Sequence, residues 1–344
     1  MKNTFSVFFD GTGNGPQDKY PSNVFKLYKL FDAMEDKKSF LPRAFYSPGP
    51  GAREYDVIAG NVAGSGIWDN VKDAYRESAK VFNPDIDIAI FGFSRGAYTA
   101  HLFAWLLQCC GIPADLSNCD EIVDRFKENP VDTLKNYREE RTTVNAIRFL
   151  GVWDIVKSIR PDKNYYDGRL PDIVQNAYHA MALDEVRKDF PVMKWASSPV
   201  LQQTWFAGVH SDVGGGYETC GLSDITFKWM YEHIKENELP CSSVADDFFH
   251  MDYKQDLNDP FKDDPKWWIR GKKQGLLYDR KISIFLYICG TKCEKTILLK
   301  LTDGNGVNCG ISLPVGQLSA LKVETLFFSW QMQNKKDGIF ELSQ

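Results

Sequence analysis

A serine flanked by two glycines follows an apolar, strand-like run and precedes a long helical pattern. The segment reads Gly92-Phe93-Ser94-Arg95-Gly96, a Gly-x-Ser-x-Gly sequence. A strand, a tight turn and a helix form the context in which this motif presents its serine to a substrate. Gly92 and Gly96 let the backbone close beneath Ser94, because a side chain at either position would clash with neighbouring elements. The motif therefore predicts a nucleophilic serine.

An acid and a histidine follow two later strand-like runs. Asp154 ends the apolar run that begins at Ala146, and His210 ends the run that begins at Thr204. Serine, acid and histidine occur in this chain order in α/β-hydrolases, and the carboxyl ends of parallel strands meet at one edge of a sheet. His210 would take the serine proton, and Asp154 would orient the imidazole and stabilise the imidazolium. The other histidines fall in predicted helices or in a loosely patterned region: His101, His179, His233 and His250.

Backbone amides are expected to stabilise the oxyanion that forms when the serine attacks. The N–H of Arg95 opens the helix after Ser94, where the positive end of the helix dipole lies. A second donor is expected from a glycine-bearing turn near the nucleophile. The turn after the first strand offers the N–H of Gly11 or of Thr12.

Two further carboxylates are expected to support the site. Asp10 ends the first strand, and Asp212 lies two residues after His210, where it would support the loop Gly214–Gly216. Asp10, Asp154, His210 and Asp212 also allow an oxygen-rich metal site, and with it a metal-dependent phosphoesterase. A third alternative is a hydrolase-like scaffold that only binds. Neither alternative explains the serine turn together with its acid and base, so the sequence favours a site without metal or other cofactor.

The order of elements predicts an α/β-hydrolase fold, with a mostly parallel central sheet and helices on both faces. We assign the catalytic domain to residues 1–240, with a polar helical insertion at about 113–145. Within it, a helix is expected around Pro171 to Leu183. Residues 241–344 form a C-terminal extension, a loop followed by β-type runs, and we expect it to pack on the catalytic domain.

The charge, the apolar runs and the cysteine spacing of the chain exclude several classes of function. The chain has 344 residues and a net charge of −5 without a basic tract, which argues against general binding of nucleic acid. No run of eighteen apolar residues occurs, and the first residues lack an apolar signal region, so we expect a chain made in the cytoplasm without a signal peptide. The eight cysteines lack the spacing of a zinc site and are expected to be free thiols.

Four sequence blocks in combination resemble one hydrolase family. The blocks are Asp10-Gly11-Thr12-x-Asn14, Gly92-Phe93-Ser94-Arg95-Gly96-Ala97, Gly151-Val152-Trp153-Asp154 and Trp205-Phe206-x-Gly208-Val209-His210-Ser211-Asp212-Val213-Gly214-Gly215-Gly216-Tyr217. A fifth block, from His179 to Arg187, is also similar to that family. Over about residues 3–235 the chain resembles the α/β-hydrolases that include class 1 type VI secretion lipase effectors and many uncharacterised bacterial proteins.

The resemblance implies a serine esterase of the phospholipase type, whose substrate is a lipid or another acyl ester. It implies that Ser94, Asp154 and His210 are the catalytic triad. It further implies peripheral contact with a membrane, and an immunity or secretion protein as partner. On this view the protein is made in a bacterial cytoplasm and delivered to a target cell by a secretion system.

Two reagents separate the serine interpretation from the metal interpretation. A serine activated by histidine reacts with fluorophosphonates, so we expect such a probe to label Ser94 and to abolish ester hydrolysis. Treatment with EDTA should leave hydrolysis unchanged. Peptide mass spectrometry and an esterase assay measure both effects. Loss of activity on chelation, together with an unlabelled serine, would contradict the serine interpretation.

Overall fold

The structure of the chain is a computed structural model. It describes residues 3–33, 44–50, 65–113, 115–128, 141–142, 144–156, 168–187, 190–260, 283–289, 296–302 and 308–314. Contacts within the chain define two compact units, Met1–Lys273 and Gln274–Gln344. Among the described helices, none combines the length and the apolar character that crossing a bilayer requires.

Parallel strands form the sheet of the first unit. Their bounds are β1 Asn3–Phe9, β2 Ala44–Ser47, β3 Ile86–Phe93, β6 Ile147–Trp153, β7 Ala177–Ala182 and β8 Leu201–Phe206. They pair in the order β2-β1-β3-β6-β7-β8, and every pairing is parallel. The strands are buried along most of their length, as expected for a parallel sheet covered on both faces.

Helices cover both faces of this sheet. Their bounds are α1 Asn23–Asp32, α2 Ser65–Val81, α3 Arg95–Cys110, α4 Cys119–Glu128, α5 His210–Gly214 and α6 Gly221–Glu236. One apolar cluster joins the sheet to α2, α3 and α4, and a second joins it to α1 and α6. Two short antiparallel strands, β4 Ile112–Pro113 and β5 Arg141–Thr142, pair apart from the sheet. The first unit has the α/β-hydrolase fold that the sequence predicted.

The strand order reverses between β1 and β3. From β1 the chain moves to β2 on one side, whereas β3 lies on the other side of β1. Ligands of open α/β sheets bind beyond the carboxyl ends of the strands at such a reversal. The turn after β1, with Asp10, and the turn after β3, with Ser94, therefore flank the expected position of a site.

The prediction of a helix around Pro171 to Leu183 is wrong. Residues 177–182 form β7, between β6 and β8, so His179 lies on a strand rather than in a helix. A short apolar run has too few residues for its periodicity to distinguish the two structures. Pairing with β6 and β8 makes this run a strand. In the expected insertion at 113–145, the structure describes a short 3-10 helix, Leu116–Asn118, and α4, whereas residues 114, 129–140 and 143 lie outside the described residues.

Among the residues of the second unit that the structure describes, three strands pair in antiparallel fashion. Strand β10, Thr296–Thr302, pairs with β9, Ser283–Cys289, and with β11, Asn308–Pro314. These strands coincide with the β-type runs of the predicted β-rich extension. The boundary at residue 240, and the packing of the extension as a whole on the catalytic domain, stay predictions.

The first residues of α3 pass very close to β1 and β3. A Cβ atom on Gly96 would lie 2.2 Å from Phe9 O and 2.3 Å from Asp10 O. A Cβ atom on Gly92 would lie 2.6 Å from Gly96 O. Both contacts involve backbone atoms that side-chain rotation cannot relieve. Glycine at these two positions is therefore a steric requirement of the turn that holds Ser94.

We expect Gly96→Ala to lower the free energy of unfolding by about 3 kcal/mol or more, because α3 must move away from β1. Gly66→Ala in α2 is the matched control, since its added Cβ would stay 3.1 Å from its nearest neighbour, in Pro50, and should cost much less. Urea unfolding followed by circular dichroism measures both variants. Equal stability of the two would show that the close approach at Gly96 carries no strain.

Candidate active site

Ser94 lies in the turn between β3 and α3, in a strained backbone conformation. Its φ is 58° and its ψ is −125°. Its N–H donates to Trp153 O at 3.0 Å, which ties the turn to the end of β6, and its side chain is nearly buried. Positive φ at a non-glycine residue costs free energy and clusters at functional sites. Among the described non-glycine residues only Ser94, Asp154 and Glu238 have it.

Asp154 and His210 form a buried hydrogen-bonded pair. The Asp154 Oδ2 atom lies 2.6 Å from His210 Nδ1, and both side chains are almost inaccessible to solvent. The second oxygen, Asp154 Oδ1, accepts the N–H of Ala182 at 2.8 Å. Burial raises the pKa of Asp154, while its hydrogen bond to His210 opposes that rise. With Nδ1–H donated to the carboxylate, the lone pair of the neutral imidazole is on Nε2.

Two aromatic rings hold the His210 imidazole. The ring of Phe93, which precedes Ser94, lies 4.6 Å from it between centroids, and Phe190 meets it edge to face at 4.9 Å. His210 Nε2 is buried and has no hydrogen-bond partner among the described residues. The Ser94 hydroxyl likewise forms no hydrogen bond within the described part of the chain. Catalytic hydrogen bonds are often long until substrate binds.

The N–H groups of Gly11 and Thr12, the two candidates for the second oxyanion donor, differ in their hydrogen bonds. The Gly11 N–H donates to Asp10 Oδ1 at 2.7 Å, so it is already engaged. The Thr12 N–H has no acceptor within the described residues, and Thr12 Oγ1 is buried there without a partner. Arg95 is the first residue of α3, and its role as an oxyanion donor stays a prediction. The geometry therefore favours Thr12 over Gly11 beside Arg95.

Asp10 joins the elements around the turn after β1. Its Oδ2 atom accepts hydrogen bonds from Ser22 Oγ at 2.7 Å and from Tyr46 Oη at 2.6 Å. Its Oδ1 atom accepts the N–H of Gly11 and the amide of Asn14 at 3.4 Å. Burial raises the pKa of Asp10 against these four hydrogen bonds. Because Ser22 also caps α1, the carboxyl links β1, β2 and α1.

Asp212 has a different role from the expected one. Its Oδ2 atom accepts the Val209 N–H at 3.0 Å, and its Oδ1 atom accepts the side-chain amide of Asn258 at 2.6 Å. The carboxylate thus holds the start of α5 rather than the glycine loop after it. Burial raises the pKa of Asp212.

A metal site has little support from the geometry. Within the described residues, no group of three or more His, Cys, Asp or Glu side chains is placed to hold a metal ion. The carboxylates of Asp10, Asp154 and Asp212 instead accept hydrogen bonds from protein donors. The donor set proposed for a metal-dependent phosphoesterase is therefore distributed over three separate hydrogen-bonding roles.

The sequence assigned no role to Glu185 and Arg187, although both lie in the fifth family block. Glu185 Oε2 accepts the His210 N–H at 3.1 Å, and Arg187 binds both oxygens of Glu185, at 2.9 and 2.8 Å. The Arg187 guanidinium lies 3.8 Å from the centre of the Phe190 ring. Burial raises the pKa of Glu185, but its hydrogen bonds with Arg187 lower the pKa below its usual value overall. Only the family block that contains both residues signalled them. Local pattern could not, because His210, which Glu185 binds, is distant in sequence.

His179 holds the residue that follows Asp154. Its Nε2 atom accepts the Ile155 N–H at 3.2 Å, and its Nδ1 atom lies 3.3 Å from Gln203 Oε1. Since Nε2 accepts, the ring is neutral and Nδ1 carries the proton that Gln203 accepts. Burial lowers the pKa of His179 to about 3. The assignment of His179 to a helix hid this role.

The low pKa of His179 predicts that the folded protein loses stability in acid. A histidine protonates near pH 6.5 in the unfolded chain but near pH 3 when folded, so the unfolded state binds more protons between these values. Stability is therefore lost as pH falls below about 6.5, by about 1.4 kcal/mol per pH unit from this residue. Gln at this position can accept from Ile155 without titrating.

Between pH 6.5 and pH 5, we expect the free energy of unfolding to fall by about 2 kcal/mol less in His179→Gln than in wild type. Urea unfolding at each pH measures this difference. His250→Gln, at an exposed position, controls for loss of a histidine. Identical pH dependence of wild type and His179→Gln would rule out a neutral, buried His179.

Comparison with known proteins shows which family the chain belongs to. A family model described as the catalytic domain of Tle1-like phospholipase effectors of the type VI secretion system (T6SS) matches residues 3–233, more than half of the chain. An uncharacterised protein of Saccharomyces cerevisiae is 26% identical over 229 residues, which cover 56% of this chain and 33% of that protein.

Two solved structures are also similar. An uncharacterised protein from Pseudomonas aeruginosa aligns with a TM-score of 0.50 and 18% identity, over 72% of this chain and 48% of that one. At this identity the likeness concerns the fold. The Tle1 effector bound to the VgrG spike of the type VI secretion system aligns at 20% identity with a TM-score of 0.36, over 62% and 51% of the two chains.

The chain thus spans 33% of the yeast relative's length and 48% of the Pseudomonas protein's. The match to the family model includes the turns that carry Ser94, Asp154 and His210. The chain belongs to the family of Tle1-like phospholipase effectors of the type VI secretion system, whose catalytic domain it contains.

Proposed function

We propose that the protein is a serine carboxylester hydrolase of the phospholipase type. Ser94 is the nucleophile, His210 the general base and Asp154 the acid that orients the base. The observation that carries the proposal is the buried hydrogen bond of 2.6 Å between Asp154 and His210, whose ring packs against Phe93, the residue before Ser94. A serine turn without such a pair would have no base.

Ester cleavage proceeds in two steps. His210 Nε2 takes the Ser94 hydroxyl proton as Oγ attacks the acyl carbonyl carbon, and the imidazolium then protonates the leaving alcohol as the ester C–O bond breaks. In the second step His210 takes a proton from water, which attacks the acyl-enzyme. The carboxylic acid leaves and the proton returns to Ser94. Asp154 stabilises the imidazolium in both steps.

The oxyanion of each tetrahedral intermediate is proposed to accept the N–H groups of Arg95 and Thr12. First-turn amides of a helix have no intrahelical acceptor, and the dipole of α3 favours negative charge at that end. A Cβ atom on Gly11 would lie 2.8 Å from the Phe93 ring, so the turn that carries Thr12 packs directly beside the serine turn. This closeness supports a shared oxyanion site.

Phospholipid acyl esters are the proposed substrates, and family membership is the support for that choice. The same support extends to peripheral contact with a membrane surface, delivery to a target cell by a secretion system, and an immunity or secretion protein as partner. These roles follow the family rather than the geometry of the site.

We expect Ser94→Ala to lower kcat/KM for p-nitrophenyl acyl esters by at least about 10³-fold, because the nucleophile is lost. Ser117→Ala, at an exposed position, is the matched control and should retain wild-type turnover. Circular dichroism establishes that both variants fold. Undiminished turnover by folded Ser94→Ala would eliminate Ser94 as nucleophile.

The same variants test the substrate class on vesicles of phosphatidylethanolamine and phosphatidylglycerol. Wild type should release fatty acid and Ser94→Ala should not. Hydrolysis of p-nitrophenyl esters without fatty acid release from vesicles would retain the esterase and exclude these phospholipids.

A further inference from the structure

A segment beyond the family-matched residues returns to the helix that carries His210. This return segment, residues 241–259, follows the end of α6 and runs back along it. Its amides bond to progressively earlier parts of α6: Val244 N to Tyr231 Oη (3.2 Å), His250 N to Asp224 Oδ2 (2.9 Å) and Asp252 N to Gly221 O (3.3 Å). Phe249 is buried against Phe227 and Tyr231. The return segment is therefore packed along α6 up to the first turn of that helix.

The return segment reaches Asp212 through Asn258. The Asn258 side-chain amide donates to Asp212 Oδ1 at 2.6 Å, and its backbone N–H donates to Asp212 Oδ2 at 3.2 Å. The same side-chain amide donates to Thr219 Oγ1 at 3.0 Å, which fixes its orientation. One residue thus supplies two donors to a carboxyl group that is 1% exposed.

Asp212 in turn holds the residue before His210. Its Oδ2 atom accepts the Val209 N–H at 3.0 Å, and α5 itself has only five residues. So short a helix gains little from its own hydrogen bonds, and side-chain contacts must hold its first turn. Without the Asn258 side chain, this buried carboxylate would lose the donor to its Oδ1 atom, face the negative charge of Asp184 and reorient.

We propose that Asn258 is a positioning residue for His210, acting through Asp212, and that the return segment is part of the catalytic unit although it lies outside residues 3–233. The inference rests on the proposed function of His210. It assigns the return segment a role in the orientation of the imidazole against Ser94, in addition to the Glu185 contact on the His210 N–H.

The test uses the full chain with Asn258→Ala, and with Asp256→Ala as the control at an exposed position of the same segment. We expect Asn258→Ala to lower kcat for p-nitrophenyl esters about tenfold, with KM changed less than about twofold, because a small displacement of a base slows the chemical step. Amide hydrogen exchange over residues 208–214 should become faster in Asn258→Ala and stay unchanged in Asp256→Ala. Unchanged kcat or unchanged exchange in Asn258→Ala would overturn the proposal.

A double-variant cycle separates positioning from general destabilisation. Because Asn258 acts through Asp212, adding Asn258→Ala to Asp212→Ala should lower kcat no further. Additive losses would overturn the route through Asp212. Asn258→Ser, which retains a donor, should show an intermediate kcat and replaces Asn258→Ala in every comparison if the alanine variant does not fold.

Failure of the proposed function is distinguishable from failure of this inference. If wild type neither hydrolyses esters nor reacts with a fluorophosphonate, the proposed function fails. Hydrogen exchange over residues 208–214 then decides alone whether Asn258 holds the turn: faster exchange in the variant supports the contact, and unchanged exchange overturns it.

Discussion

The close approach of α3 to the end of β1 is the contact on which the candidate site depends. Gly96 leaves no room for a side chain between the helix and the Phe9 and Asp10 carbonyl groups. The turn that carries Thr12 lies directly beside the serine turn, where Ser94 has positive φ. A wider separation would divide the proposed nucleophile from the second oxyanion donor. The steric limit at one glycine thus sets the dimensions of the site.

Buried carboxylates organise the surroundings of that contact, and each one accepts hydrogen bonds from protein donors. The set comprises Asp10, Asp154, Glu185 and Asp212. Burying a charge without such donors is very unfavourable, so these groups hold their loops in single conformations. By contrast, His210 Nε2 and Thr12 Oγ1 are buried without partners among the described residues. Both belong to residues with proposed roles in the reaction.

Three separate parts of the chain contact the turn that carries His210. Asp154 follows β6 and binds Nδ1 of His210, and Glu185 follows β7 and accepts the His210 backbone N–H. Asn258 of the return segment donates to Asp212, which accepts the Val209 N–H. The family match ends at residue 233, yet the packing of the first unit continues along α6 beyond it. The structural unit around the proposed base is therefore larger than the region that the family model matches.

Local sterics and periodicity, which are legible in the sequence, encode the Gly-x-Ser-x-Gly turn, the parallel strands, and the placement of Asp154 and His210 just beyond two of those strands. Their meeting at one edge followed because parallel strands align their carboxyl ends. Tertiary structure alone decided that residues 177–182 are a strand, that Gly11 gives its N–H to Asp10, and that Asp212 binds Asn258. The physical reason is that these outcomes are choices among hydrogen-bond partners and neighbours. Local pattern ranks conformations, but only the folded chain determines which donor is close enough to each buried acceptor.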